Sequence, residues 1–137
     1  MNTKKGNWPN PDDLKSKSAI PRAPYGVLAE YAESVYEAYD KKLIGIITTA
    51  FQDNNGSRTD FTYGLYIAKV VSNGNGPQIK ILELKVQDDG WYDAKLSILF
   101  PFRKEMGIAK SESELDELIK KAIVSDEVKS IIVQLLE

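Results

Sequence analysis

The apolar positions of this chain change period twice. From Pro24 to about Lys42, Tyr25, Leu28, Ala32, Val35, Tyr36 and Tyr39 recur at helical spacing, within about a 100° arc of an ideal helix. Pro24 suits the first turn, where its missing N–H costs nothing. Glu30, Glu33, Glu37 and Asp40 cluster on another face, and Lys41 and Lys42 sit where the helix dipole favours cations.

The period then shortens to two. Leu43 to Phe51 is rich in Ile and Thr, which predicts a strand. Asp53-Asn54-Asn55-Gly56 signals a hairpin. Thr59 to Val71 alternates, with Phe61, Tyr63, Leu65 and Ile67 on one face and Thr62, Gly64, Tyr66 and Ala68 on the other. A second turn signal is Asn73-Gly74-Asn75-Gly76-Pro77. The third run, Gln78 to Gln87, changes phase: Ile79 and Ile81 share one parity, Leu82, Leu84 and Val86 the other. That requires a bulge near Ile81 or burial of both faces. Asp88-Asp89-Gly90 closes a third hairpin. A fourth strand sets Tyr92, Ala94, Leu96, Ile98 and Phe100 opposite Asp93, Lys95 and Ser97, and Pro101 ends it.

Helical spacing returns at the end. Ser111-Glu112-Ser113-Glu114 has the form of a capping box, followed by Leu115, Leu118, Ile119 and Ala122. Ser125 caps a last helix whose face is Val128, Ile131, Ile132, Leu135 and Leu136, too apolar to stay in water. The fold class read from this order is α+β: an N-terminal helix, a four-stranded antiparallel meander, and two C-terminal helices packed mainly on one sheet face. Residues 1–22 read as a flexible N-terminal tail with Pro9, Pro11 and Pro21 and no apolar period, and 23–137 as one domain.

Composition narrows the chemistry. The 137 residues include no histidine and no cysteine. A Ser-His-Asp triad, a Cys nucleophile and ordinary Cys/His zinc sites are therefore excluded. Acid–base work would need a strongly shifted carboxylate, Lys or Tyr. The acidic stripe on the first helix lacks the Glu-x-x-His partner of a di-iron bundle and reads as a solvated face. Asp53, Asn54, Asn55 and Asp60 resemble oxygen ligands, but Gly64 stands where an EF-hand needs its Glu. Asp88, Asp89 and Asp93 lie around a convex turn, unsuited to a glycosidase cleft. No cofactor is expected.

Phe61, Tyr63 and Tyr66, with Arg58 and Lys69, could form a base-stacking platform. The net charge of −2 disfavours nucleic acid as a partner, and core packing accounts for these rings. No signal peptide and no membrane-length apolar run is visible, so a cytoplasmic protein without a membrane partner is expected. A homodimer is compatible with the pattern.

Interaction chemistry remains. Trp8 is the one aromatic residue of the tail. The segment Pro101–Lys110 reads as the longest connection in the folded part and mixes Phe102, Met106 and Ile108 with Arg103, Lys104 and Lys110. Arg and Trp dominate interface energetics when buried. The candidate interaction residues are Trp8, Phe102, Arg103, Lys104 and Met106. The expected function is that of a non-enzymatic protein-binding module. The alternative is a small-ligand binder or enzyme with a Tyr- and carboxylate-lined pocket between helices and sheet.

Overall fold

The helical and alternating runs become, in order, α1 (Pro24–Ala38), β1 (Leu43–Asp53), β2 (Thr59–Val71), β3 (Gly74–Val86), β4 (Ala94–Ile98), β5 (Lys104–Ala109), α2 (Glu112–Ile123) and α3 (Asp126–Leu136). The fold is that of a computed structural model, which describes residues 22–53, 59–86 and 91–137. The tail with Trp8 and the turns at Asn54–Gly56 and Asp88–Gly90 lie outside the described residues.

The class is α+β, with one antiparallel sheet in the order β1-β2-β3-β4-β5. The meander therefore has five strands where the alternation predicts four. The fifth, Lys104–Ala109, falls within the segment read above as a connection. Its sequence, KEMGIA, hides it: two charges and a glycine leave too little alternation to signal a strand. Pairing with β4 supplies what propensity does not, with Ala94 opposite Ala109 and Leu96 opposite Gly107.

The register explains the phase change in the third strand. Leu65 pairs with Leu82, but Tyr66 pairs with Lys80, so Ile81 is an extra residue in β3. This bulge lets Ile81 and its neighbour Leu82 both be buried. The Ile81 carbonyl accepts the Leu99 N–H at 2.9 Å, which draws the chain after β4 back to the sheet.

All three helices among the described residues lie on one face. Beneath them, Leu65, Leu82, Leu84, Leu96 and Ile98 form a continuous buried layer with Val27, Leu28, Leu115, Ile119 and Ile131. Helix α1 sits directly over β1. A Cβ at Gly45 would fall 2.4 Å from the Ala32 carbonyl oxygen, so only glycine allows this approach. The buried stripe of α1 is Val27, Leu28, Ala32 and Val35, turned toward the sheet and the core, while Tyr25 and Tyr36 stay exposed. The helix ends at Ala38, four residues earlier than its period suggests. Asp40 and Lys41 take φ values of 53° and 66°, and this left-handed pair turns the chain into β1.

The caps form where the sequence places them. Ser111 Oγ accepts the Glu114 N–H at 3.2 Å, and Ser125 Oγ accepts the Val128 N–H at 3.3 Å. Glu114 reaches back one residue further than a standard capping box, to the Lys110 N–H at 2.8 Å. Arg22 fastens the start of α1 to α2: its N–H and Nε donate to Glu112 at 2.9 and 2.8 Å, and its guanidinium also pairs with Glu30. Among the described residues no helix is long and apolar enough to cross a membrane.

Candidate interaction surface

Residues 99–103 join β4 to β5 and carry two of the candidate interaction residues, Phe102 and Arg103, with Lys104 opening β5 directly after them. Phe102 is 81% exposed, the most of any large apolar side chain among the described residues, and Phe100 is also exposed. The neighbours of Phe102 are fixed on opposite faces of the sheet. Arg103 reaches over the open face and donates to Glu83 Oε1 at 2.8 Å. Lys104 lies on the helix side, with its ammonium 3.6 Å from Glu127 at the start of α3.

Glu83 is the centre of the charged part of the open face. It pairs across the sheet with Gly64 on β2 and Ser97 on β4. The Lys80 stem crosses Gly64, where a Cβ would fall 2.5 Å from Lys80 Cε. That path brings the Lys80 ammonium 3.5 Å from Glu83 and 6.0 Å from the centre of the Tyr66 ring. Burial alone would push the Glu83 carboxyl up. The hydrogen bond and charge of Arg103, with Lys80, outweigh burial and hold it below the usual carboxylate range. The same hydrogen bond raises the Arg103 guanidinium further above its already high value.

Met106 stands apart from the other candidates. It is the extra residue at the register shift between Leu96 and Ser97, and it packs against the core. Next to it Gly107 has φ 141°, a conformation glycine supplies freely. The structure thus brings Phe102, Arg103 and Lys104 to one turn and gives Met106 a packing role. Trp8 lies outside the described residues.

The other chemistry-bearing groups are engaged structurally. The Tyr31 hydroxyl donates to Asp116 Oδ1 at 2.5 Å, bridging α1 and α2. Burial, then the Asp116 hydrogen bond, push the Tyr31 pKa up strongly. The bond from Tyr31, with Lys120, holds Asp116 low. Phe61 and Tyr63 stack at 6.5 Å on the helix side, with Tyr25 edge-on to Tyr63 at 5.1 Å. Tyr66 is on the opposite face, so the three rings of the conceivable stacking platform do not share a surface. Among the described residues no three acidic side chains converge to hold a metal ion.

One cavity opens between helices and sheet, where sequence reasoning placed the alternative pocket. It measures about 100 Å³, and Tyr31, Val35, Tyr39, Leu65, Ile81 and Ile132 are among its lining residues. Comparison with family models, with curated proteins and with solved structures finds no match for this chain.

Proposed function

We propose that this protein is a non-enzymatic protein-binding module that docks through the β4–β5 turn. The observation that supports this most is Phe102: an aromatic ring held out in solvent while its chain neighbours Arg103 and Lys104 are fastened to β3 and α3. A ring presented on a fixed turn loses little conformational entropy on binding, which favours its use as an anchor. Its burial in a partner's pocket would contribute about 1.5–3 kcal/mol.

Phe102→Asp tests this reading, because Phe102 supports nothing in the fold. The variant should melt within about 0.5 kcal/mol of the parent. Immobilised parent protein should capture a defined partner from native lysate, and the variant should lose it. Equal capture by both would end the proposal.

The ligand-binding alternative draws on the cavity beside Tyr31 and Tyr39. Its volume of about 100 Å³ is below the roughly 300–1,000 Å³ of small-molecule sites. Its Tyr31 hydroxyl is already committed to Asp116. A rise in melting temperature with benzene or indole would restore that reading.

A further inference from the structure

The sheet has two edges, β1 and β5, and among the described residues only β5 carries protective features. Strand β5 is six residues long, carries Lys104 and Glu105, and is broken by a register shift and by Gly107 at φ 141°. Charges, irregularity and short length are the usual devices that keep a sheet edge from pairing. Strand β1 has none of them before its last residue, Asp53. It runs for 11 residues in unbroken register with β2, with no proline and no charge from Leu43 to Gln52. Its row of backbone groups away from β2 has no strand partner among the described residues.

Apolar side chains stand on both surfaces that flank this edge. On the open face the β1–β2 half carries Ile44, Ile46 and Tyr66 beside the exposed Thr48, whereas the β3–β5 half carries Lys80, Glu83, Lys95 and Glu105. On the helix side, Tyr25, Ala29, Ala32 and Tyr36 form one stripe of α1 at spacings of four, three and four. Ala32 is the residue seated on Gly45, so this stripe runs along the β1 side of the helix, opposite the side that bonds Asp116. Tyr25 is 44% exposed and Tyr36 38%, with the small Ala29 between them.

We infer that two copies of this chain pair edge to edge through β1, antiparallel about a two-fold axis normal to the sheet. The charges at the strand's ends select a second copy as the occupant. Lys41 and Lys42 precede the strand and Asp53 is its last residue. Antiparallel self-pairing sets the cationic end of each copy beside the acidic end of the other, and no like charges face each other between them. A two-fold axis of this kind keeps both faces in place, so residues of equal parity meet. Pairing centred on Ile47 brings position 41 opposite position 53. The apolar halves of the two open faces then join in the middle of a ten-stranded sheet, and the tyrosine stripes of the two α1 helices approach across the axis. The contact is isologous and closes on itself, leaving the protected β5 edges outermost.

Light scattering after gel filtration tests this on the full chain. The parent should elute at twice the chain mass. Thr48→Lys adds a charge to an exposed position of the β1 edge, and Tyr36→Glu adds one to the helix stripe. Each should give a folded monomer, as judged by an unchanged circular dichroism spectrum. Ile108→Lys, on the exposed face of β5, should remain a dimer. A monomeric parent overturns the inference. So does a dimer that survives both Thr48→Lys and Tyr36→Glu, or one that only Ile108→Lys dissociates. Should Thr48→Lys fail to fold, Tyr36→Glu, which leaves the strand untouched, decides between these outcomes.

Discussion

On the helix-covered face Leu65, Leu82 and Ile98 stand side by side on β2, β3 and β4, all buried. In the next row of the sheet, on the other face, stand Gly64, Glu83 and Ser97. The backbone is shared, so strand pairing cannot tell the faces apart, and the difference lies in what covers each. The first face is closed by helices, and its central large side chains, Leu65, Leu82, Leu84, Leu96 and Ile98, are removed from water. The second is closed in part by its own long side chains: Lys80 lies over Gly64, and Arg103 pairs with Glu83. Apolar burial is worth far more than a half-exposed ion pair. Stability should therefore reside on the first face, which leaves the second free to carry recognition chemistry.

Removing α3 is the strongest way to break this comparison. Deletion of residues 126–137 strips Val128, Ile131, Ile132 and Leu135 from the core, each worth about 1.5–3 kcal/mol. The expected result is insoluble protein or a steep fall in melting temperature. An unchanged melting curve would mean that the helix-covered face does not dominate stability.

A matched pair of glycines sharpens the comparison. At Gly45, on the covered face, a new Cβ meets the Ala32 backbone at 2.4 Å. At Gly64, on the open face, it meets the movable Lys80 Cε at 2.5 Å. The clash distances are nearly equal, but only one obstacle can step aside. Gly45→Ala should destabilise by about 1–3 kcal/mol, as overpacking does. Gly64→Ala should cost clearly less. Equal losses in a denaturant titration would contradict the distinction between the faces.

The smallest effect belongs to Glu83. Its folded pKa is lowered, so its stabilising contribution is complete above the unfolded value near 4.3 and disappears as pH falls through the folded value. Arg103 is more than half exposed, so solvent screening limits the pair to about 0.2–1 kcal/mol. Glu83→Gln should melt slightly below the parent at neutral pH, and the gap should close as the medium is acidified below the carboxylate range. A gap that does not change with pH would show that the charge of Glu83 is not what stabilises this face.

Much of the fold was legible because local signals agreed with the tertiary result. The Ser111 and Ser125 caps, the alternation in β2 and β4 and the phase slip at Ile81 each appear where the sequence puts them. Strand β5 was not legible, because its stability comes from pairing with β4 and its charges serve an edge. The first helix runs short because two non-glycine residues adopt left-handed conformations, which no apolar period encodes. At the candidate site, Phe102 and Arg103 could be nominated by residue type alone. Glu83, the partner of Arg103, could not, since 20 residues separate them in the chain and the register alone unites them. Met106 read as an interface residue but packs inward, for the same reason that β5 was missed.

The extra residue at Ile81 also constrains how this sequence could drift. Before it, Ile79 faces the helices and Lys80 faces away; after it, Leu82 and Leu84 face the helices and Glu83 faces away. Odd positions are inward on one side of the bulge and even positions on the other. Exchanging Ile81 for another apolar side chain keeps that arithmetic. Losing the residue altogether would send either Ile79 into water and Lys80 beneath the helices, or Leu82 and Leu84 out and Glu83 in. The length of this strand is thus inherited more strictly than its letters, and a lineage of such proteins would tolerate spelling changes at position 81 far more readily than a missing codon.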